Sequence, residues 1–305
     1  MGIPIKVAPP FIVKLNKKPK NNLLICSGSQ PKMANMISND YLISAVMNEK
    51  VNVYCIDGNI LLDDDYERNF YDVLSAYTNR FHLAEDRGSI IEMIDEVYEK
   101  YKTFRKSKKN EEAIVVVIKN LDYLDIVEEM LKGETVNRED YLDKESFVME
   151  ENTEPDNRDD EEELSDVEKA FSSDLFGFLS ASDDTNANAS EQDLGEELIE
   201  MMDRGSAYGI YFTISALDYQ TIRENLVMGR TYEKEILKKF PNRIVYSLND
   251  QDAEALISEV TVSGLADNTV YFTDGFQQKF QLKPFVAPTA EELKVFLEKS
   301  NCSEP

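Results

Sequence analysis

Apolar residues along this 305-residue chain fall in short continuous runs, separated by longer stretches with helical spacing. The runs are FIVKL from Phe11, NLLICSG from Asn22, VNVYCID from Val51, AIVVVI from Ala113, GIYFTIS from Gly209 and RIVYSL from Arg243. Between them lie MANMISNDYLISAVMN, DYERNFYDVLSAY, SIIEMIDEVYEKYKTFRK, LGEELIEMMDRG and DAEALISEV. The third of these sets Ile90, Ile91, Ile94, Val97 and Tyr101 on one face with charges opposite, the mark of an amphipathic helix. Strands that are apolar throughout, alternating with such helices, predict a mainly parallel sheet covered on both faces. The chain ends differently. NTVYFTD and QKFQLKPF alternate apolar and polar positions around Asp274-Gly275, which predicts an antiparallel hairpin, and APTAEELKVFLEK reads as a short capped terminal helix. The fold class is α/β with a small β addition.

One region breaks the pattern. From 137 to 193 hydrophobicity is low and acidity high, as in EENTEPDNRDDEEEL from Glu150 and SDDTNANASEQD from Ser182. That is the composition of disorder. It falls between a strand and its crossover helix, so it is expected as an insertion and not a domain boundary. The resulting division is an entry segment with a first strand (1–22), a first part of the core (23–136), the insertion (137–193), a second part of the core (194–286), and a terminal helix with tail (287–305). Inside the insertion, Ser165 and Glu168 have capping-box spacing, and Val167, Phe171, Leu175, Phe176 and Leu179 supply an apolar face. A helix over 165–180 is expected, either transient or packed on the core, or else a docking helix that needs a partner.

Charge narrows the function classes. With 33 Lys and Arg against 59 Asp and Glu, the formal net charge is −26. Tight nucleic-acid binding by this chain alone is not expected, because phosphate contacts need clustered cations. No apolar run is long enough to span a bilayer, and MGIPIKVAPPF lacks the charged and apolar regions of a signal peptide. Cys26, Cys55 and Cys302 show no disulfide or metal spacing, which favours a reducing, cytoplasmic setting. The single histidine, His82, cannot anchor a multi-histidine metal site and is expected to be structural.

The stretch LLICSGSQPKMANMIS, from Leu23 to Ser38, has the layout of a phosphate-binding loop: buried strand, small-residue turn, helix. A working loop reads Gly-x-x-x-x-Gly-Lys-[Ser/Thr], so that backbone N–H groups wrap the phosphates. In order along the chain, this stretch, VNVYCIDGN, SIIEMIDEVYEKYKTFRK, EEAIVVVIKNLDYL, LGEELIEMMDRGSAYGIYFTISA and KKFPNRIVYSLNDQDAEALI resemble the motor domain of the FtsK/SpoIIIE family. That family comprises RecA-like ATPases that include DNA translocases and the EssC/EccC ATPases of type VII secretion. The resemblance covers most of the chain and implies a RecA-like P-loop NTPase fold. GIPIKVAPPFIVKLNKKPKNN resembles the segment that links one such module to the module before it.

The departures from the family pattern fall on its chemistry. Aligned without gaps, Gly-Lys-Ser of a working loop lands on Lys32, Met33 and Ala34. A one-residue shift puts Lys32 at the lysine position, but no Ser or Thr follows to hold Mg²⁺. Pro31 removes a backbone donor. After AIVVVI the family has Asp-Glu, and here Lys119 and Asn120 stand instead, neither able to act as metal ligand or general base in the family's way. Asp122 comes too late in the chain, and the sensor residue is replaced by Ala216. A vestigial pocket formed by Ser27, Gly28, Ser29, Lys32, Met33, Ala34, Lys119, Asn120 and Asp122 is the expectation, with no catalytic residue and no metal.

The resemblance then implies a pseudo-ATPase module of a type VII secretion-like motor, serving recognition or regulation of a protein partner, either a secretion substrate or neighbouring modules. No cofactor is expected, with ATP binding weak or absent. No direct membrane contact by this segment is expected. Arg243 matches the family's Asn-Arg-Ile arginine and reads either as a core-edge ion-pair partner or as a contact to a neighbouring module. The alternative reading is an inactive domain or subunit of an FtsK-like DNA translocation or DNA-processing system. In that reading KLNKKPK and FRKSKKN would matter, although both are short enough to be solvated loops.

Overall fold

The computed structural model describes residues 3–4, 15–28, 30–58, 64–107, 112–134, 136, 193–228, 236–258, 269–274, 279–286 and 288–301. Six strands form the parallel part of one sheet: β2 (Leu23–Cys26), β3 (Val51–Asp57), β4 (Phe81–Ala84), β5 (Ala113–Lys119), β6 (Ile210–Ala216) and β7 (Asn242–Val245). Antiparallel β8 (Val270–Thr273), β9 (Lys279–Lys283) and the two-residue β1 (Ile3–Pro4) extend it past β7. The spatial order is β1-β9-β8-β7-β2-β6-β5-β3-β4. β6 therefore stands between the loop strand β2 and β5.

Why the strands read as continuous apolar runs is visible in β5. Ile114, Val116 and Ile118 enter one core, while Val115 and Val117 enter the other. Helices α3 (Arg87–Lys106), α4 (Asp125–Lys132) and α5 (Leu194–Tyr208) cover the first face, with Ile94, Val127 and Leu198 buried there. Helices α1 (Pro31–Val46), α2 (Asp64–Tyr77) and α8 (Ala290–Asn301) cover the second, with Ile37, Leu74 and Leu293 buried. Two shorter helices, α6 (Tyr219–Ile222) and α7 (Asp250–Ile257), follow β6 and β7.

Local chemistry sets the helix ends. Asp86 caps α3 by accepting from the Ser89 N–H at 3.0 Å, and Asp193 caps α5 by accepting from the Gly195 N–H at 3.0 Å. Gly209, at φ +96, closes α5 in the left-handed conformation that glycine adopts without penalty. Below β2, Asn22 ties three elements: its amide donates to the Met202 and Lys239 carbonyls at 2.7 and 2.9 Å and accepts from the Phe212 N–H at 3.0 Å.

Several expectations are corrected. FHLA is a strand, β4, at the edge of the sheet, where four residues with mixed burial carry no clear period. Helix α4 and the α6 turn, which runs on into a π-helical turn at Arg223–Val227, were not expected. The entry segment contributes Ile3–Pro4 to β9, while the expected strand from Phe11 lies outside the described residues apart from Leu15. The expected insertion (137–193) also lies outside them except for Asp193, which caps α5, and with it the helix over 165–180 and Val167, Phe171, Leu175, Phe176 and Leu179. His82 is structural, stacked on Tyr54 with ring centroids 4.6 Å apart.

Candidate functional site

At the carboxyl ends of the parallel strands, where P-loop folds hold phosphate and metal, the chain places a loop and a buried polar cluster. The loop after β2 closes on itself. Gln30 N–H donates to Ser27 O at 3.1 Å, and the Met33 and Ala34 N–H groups both donate to Gln30 O, at 3.0 and 3.2 Å. Ser27 N–H bonds Ala216 O at 3.3 Å, and the Gly28 N–H bonds the Cys26 thiol, whose pKa burial pushes up to about 12. Pro31, at the first position of α1, has no N–H to offer.

Gly28 sits at φ +56 under the turn that follows β7, and a Cβ there would stand 2.3 Å from Ser247 O. The loop is thus pinned from above by backbone. Lys32 is exposed, while Met33 and Ala34 are buried. Ser29 lies outside the described residues.

The polar cluster is built from five elements. Asp57 ends β3 and Lys119 ends β5 as register partners on neighbouring strands. The Lys119 side chain is 0% exposed, and its ammonium lies 3.1 Å from Asp57 Oδ2, 2.5 Å from Tyr71 Oη and 3.2 Å from Asn39 Oδ1. Three acceptors match the three donors of an ammonium group. Asp57 also accepts from the Tyr71 hydroxyl and, at 3.0 Å, from the Asn120 amide. Asn120 occupies the left-handed region (φ 58, ψ 54), which asparagine tolerates, and its N–H donates to Ser215 Oγ at 2.9 Å. Its amide nitrogen also donates to Asn35 Oδ1 at 3.2 Å. Ser27 Oγ, Ser38 Oγ and Asn120 Oδ1 are buried without a protein partner.

Of the residues singled out from sequence, the structure brings Lys119 and Asn120 into one network and sets Ser27, Gly28, Met33 and Ala34 in the adjoining loop. Asp122 turns away: its carboxylate accepts from the Leu217 N–H and Thr221 hydroxyl, both at 2.6 Å, and so fastens β5 to the start of α6. Arg243 donates to the Phe240 and Leu237 carbonyls at 2.9 and 3.3 Å, and to Leu256 O, all within its own chain. The residues missed are Asn35, Asn39, Asp57, Tyr71 and Ser215. One signal was present for Asp57, since a charge closes the otherwise apolar VNVYCID. Among the described residues no group of three or more His, Cys, Asp or Glu side chains could hold a metal ion, and no helix is long and apolar enough to cross a membrane. A surface groove of about 580 Å³ between α2 and α8, lined by Val73, Tyr77, Lys294 and Leu297, shares no residue with the loop or the cluster.

This sheet order, with a loop-to-helix turn after a central strand, defines a RecA-like P-loop NTPase fold. No family profile matches the sequence, and no curated protein matches it. Among solved structures, the chain is similar to the cytoplasmic domain of the Thermomonospora curvata type VII secretion ATPase EccC. The TM-score is 0.54 and the identity 10%, over 94% of this chain and 26% of that one. It also matches EssC (ATPases 2 and 3) from Geobacillus thermodenitrificans, with TM-score 0.49 and 12% identity over 92% of this chain and 44% of that one. A third match is B204, the DNA-packaging ATPase from Sulfolobus turreted icosahedral virus, with TM-score 0.45 and 13% identity over 88% of this chain and 98% of that one. The chain spans less than half the length of the two secretion ATPases. At such identity the EccC likeness establishes the fold alone.

Proposed function

We propose that this chain is a non-hydrolysing module of a type VII secretion-like motor, keeping the ATPase fold for binding a protein partner or neighbouring modules. The observation that carries the reading is the Lys119 ammonium, buried against Asp57 where a P-loop enzyme presents the carboxylate that serves its metal. A cation fixed by three acceptors excludes a second, divalent cation from the same spot by direct repulsion. The loop supports the same reading. The amides of Gln30, Met33 and Ala34 already bond Ser27 and Gln30 carbonyls, and Pro31 supplies none. Of the buried oxygens without a protein partner, Asn120 Oδ1 can only accept, and the Ser27 and Ser38 hydroxyls, though able to donate, bring no positive charge to a triphosphate. The residues present do not fit a magnesium nucleotide.

A fold retained without its chemistry leaves binding as its remaining role. The expected experiment is direct. Purified protein with ATP and Mg²⁺ should show turnover no higher than the blank, and saturating ATP should leave its melting temperature unchanged. Robust Mg²⁺-dependent turnover that disappears in Lys32→Ala would sink the proposal.

A further inference from the structure

The opposite end of the parallel strands carries a charge pattern that the net charge conceals. Each strand begins beside a cation. Arg80 precedes β4, and its carbonyl accepts from the Val53 N–H at 2.8 Å. Lys50 precedes β3, and its carbonyl accepts from the Ala113 N–H at 2.8 Å, so it adjoins the start of β5. Lys106 ends α3 just before β5 in the chain. The Lys17 side chain passes 3.5 Å from the Cβ position of Gly209, beside the start of β6, and the Lys18 carbonyl accepts from Ser206 Oγ at 2.6 Å. Lys20 and Lys239, before β2 and β7, share Asp203, at 3.5 and 2.6 Å. Lys17, Lys18, Lys20, Lys50, Lys106 and Lys238 are all exposed.

The facing carboxylates are fewer. Glu49 and Glu112 are exposed at this edge, Asp203 is shared by two lysines, and Glu200 pairs with Arg105 at 2.8 Å. Among the helices that descend to this edge only α3 ends in cations, Arg105 and Lys106, which suit its carboxyl-terminal dipole; the last turns of α1, α2 and α5 hold none, so the other cations come from the segments that lead into the strands. The described parts of the two basic stretches seen in the sequence, Lys17–Lys20 and Arg105–Lys106, therefore belong to one surface spanning six strands. At about 4.8 Å per strand it is roughly 24 Å long.

We propose that this basic edge binds the chain's own acidic stretch, residues 150–164. Between Val136 and Asp193 the sequence holds nineteen carboxylates against four cations over 56 residues, the strongest complement to that edge anywhere in the chain. The intervening segment rejoins the fold at Asp193, where α5 begins at the end away from β6, and Gly195 packs there against α4 with a Cβ position 2.4 Å from Met130 O. The edge lies one length of α5 away, about 22 Å, and the chain from Val136 to Glu150 is long enough to span up to about 45 Å. Tethering also supplies an effective concentration on the order of millimolar, so even weak attraction fills the surface. Phosphate polyanions from outside meet a net charge of −26 and have no tether. The inference does not depend on the state of the loop after β2.

Zero-length carbodiimide coupling of the full chain tests it, because that reagent joins only carboxylates and amines already in contact. At 50 mM salt and micromolar protein, peptide mapping should find intramolecular links from 150–164 to Lys17, Lys18, Lys50, Lys106 or Lys238. Their yield should fall at least five-fold at 500 mM salt. Lys17→Glu/Lys18→Glu/Lys238→Glu, all exposed positions, should cut the yield to the remaining edge lysines at least five-fold. Links spread equally to Lys32, Lys279 and Lys294, or no links at all, would overturn the proposal. So would salt-sensitive micromolar binding of a 20-bp DNA duplex by the unmodified chain, which would assign the edge to nucleic acid.

Discussion

Asp57 and Lys119 face each other as register partners across two parallel strands, with side chains 5% and 0% exposed and 3.1 Å between charged atoms. A buried pair of this kind adds little net stability, because desolvation offsets the attraction, but removing one partner strands the other charge. Lys119→Met is therefore expected to lower the unfolding free energy by about 3–5 kcal/mol. The measurement is a urea midpoint, with the slope unchanged. Asp57→Leu combined with Lys119→Met should recover most of the loss, and an unshifted midpoint in the single variant would contradict the pairing.

Gly28 is the position where the loop tolerates no side chain. With φ +56 and a would-be Cβ 2.3 Å from Ser247 O, Gly28→Ala must move the turn after β7 or the loop itself. A loss on the order of 1–3 kcal/mol is expected, seen as a lower melting temperature. Gly88→Ala is the control: it lies in the first turn of α3, a Cβ there meets nothing closer than Asp86 Oδ1 at 3.4 Å, and its effect should be neutral or slightly stabilising.

Asp40, buried in α1, gives a pH signature. Burial pushes its carboxyl up to about 6, although a hydrogen bond from the Phe285 N–H pulls the other way. Its folded value lies above the ordinary 3.8, so its contribution to stability is fully present below that ordinary value and lost as pH rises through about 6. Asp40→Asn should accordingly stabilise the fold at pH 7.5, on the order of 1–3 kcal/mol, with the gain vanishing by pH 4. Melting curves of both proteins across that range check it, and a gain that grows toward low pH would refute the assignment.

Asn22 holds three buried backbone groups belonging to Met202, Lys239 and Phe212. Asn22→Ala leaves all three without their partner, and a cost of about 2–5 kcal/mol follows. Because those groups belong to α5, β6 and the turn before β7, hydrogen exchange should speed up in all three together, and acceleration confined to β2 would argue against the role.

The parallel core was legible because two-sided burial leaves an unmistakable trace: Ile114 to Ile118 has no polar position to interrupt it. β4 was not, since an edge strand of four residues ending an amphipathic stretch carries too little pattern. That Lys119 and Asn120 stand where the resembled family has Asp-Glu could be read from one strand and its expected motif. What Lys119 does instead could not, because Asn39, Asp57 and Tyr71 come from three other elements and no spacing in the chain links them. Asp122 and Arg243 show the same limit. Each was visible as a residue, but its partners at Leu217, Thr221, Leu237 and Leu256 are defined only by the folded backbone.

The central position of β2 has a consequence for how the chain is made. Its two neighbours in the sheet are β6 and β7, whose residues follow it by roughly two hundred positions. At a synthesis rate of about 5–20 residues per second, β2 waits roughly 10–40 s before its first flank, β6, has been made. Throughout that interval LLIC, three aliphatic side chains and a thiol, lacks both of its native neighbours. The centre of the sheet is therefore closed late: β2 gains its two partners only once β6 and β7 have been made.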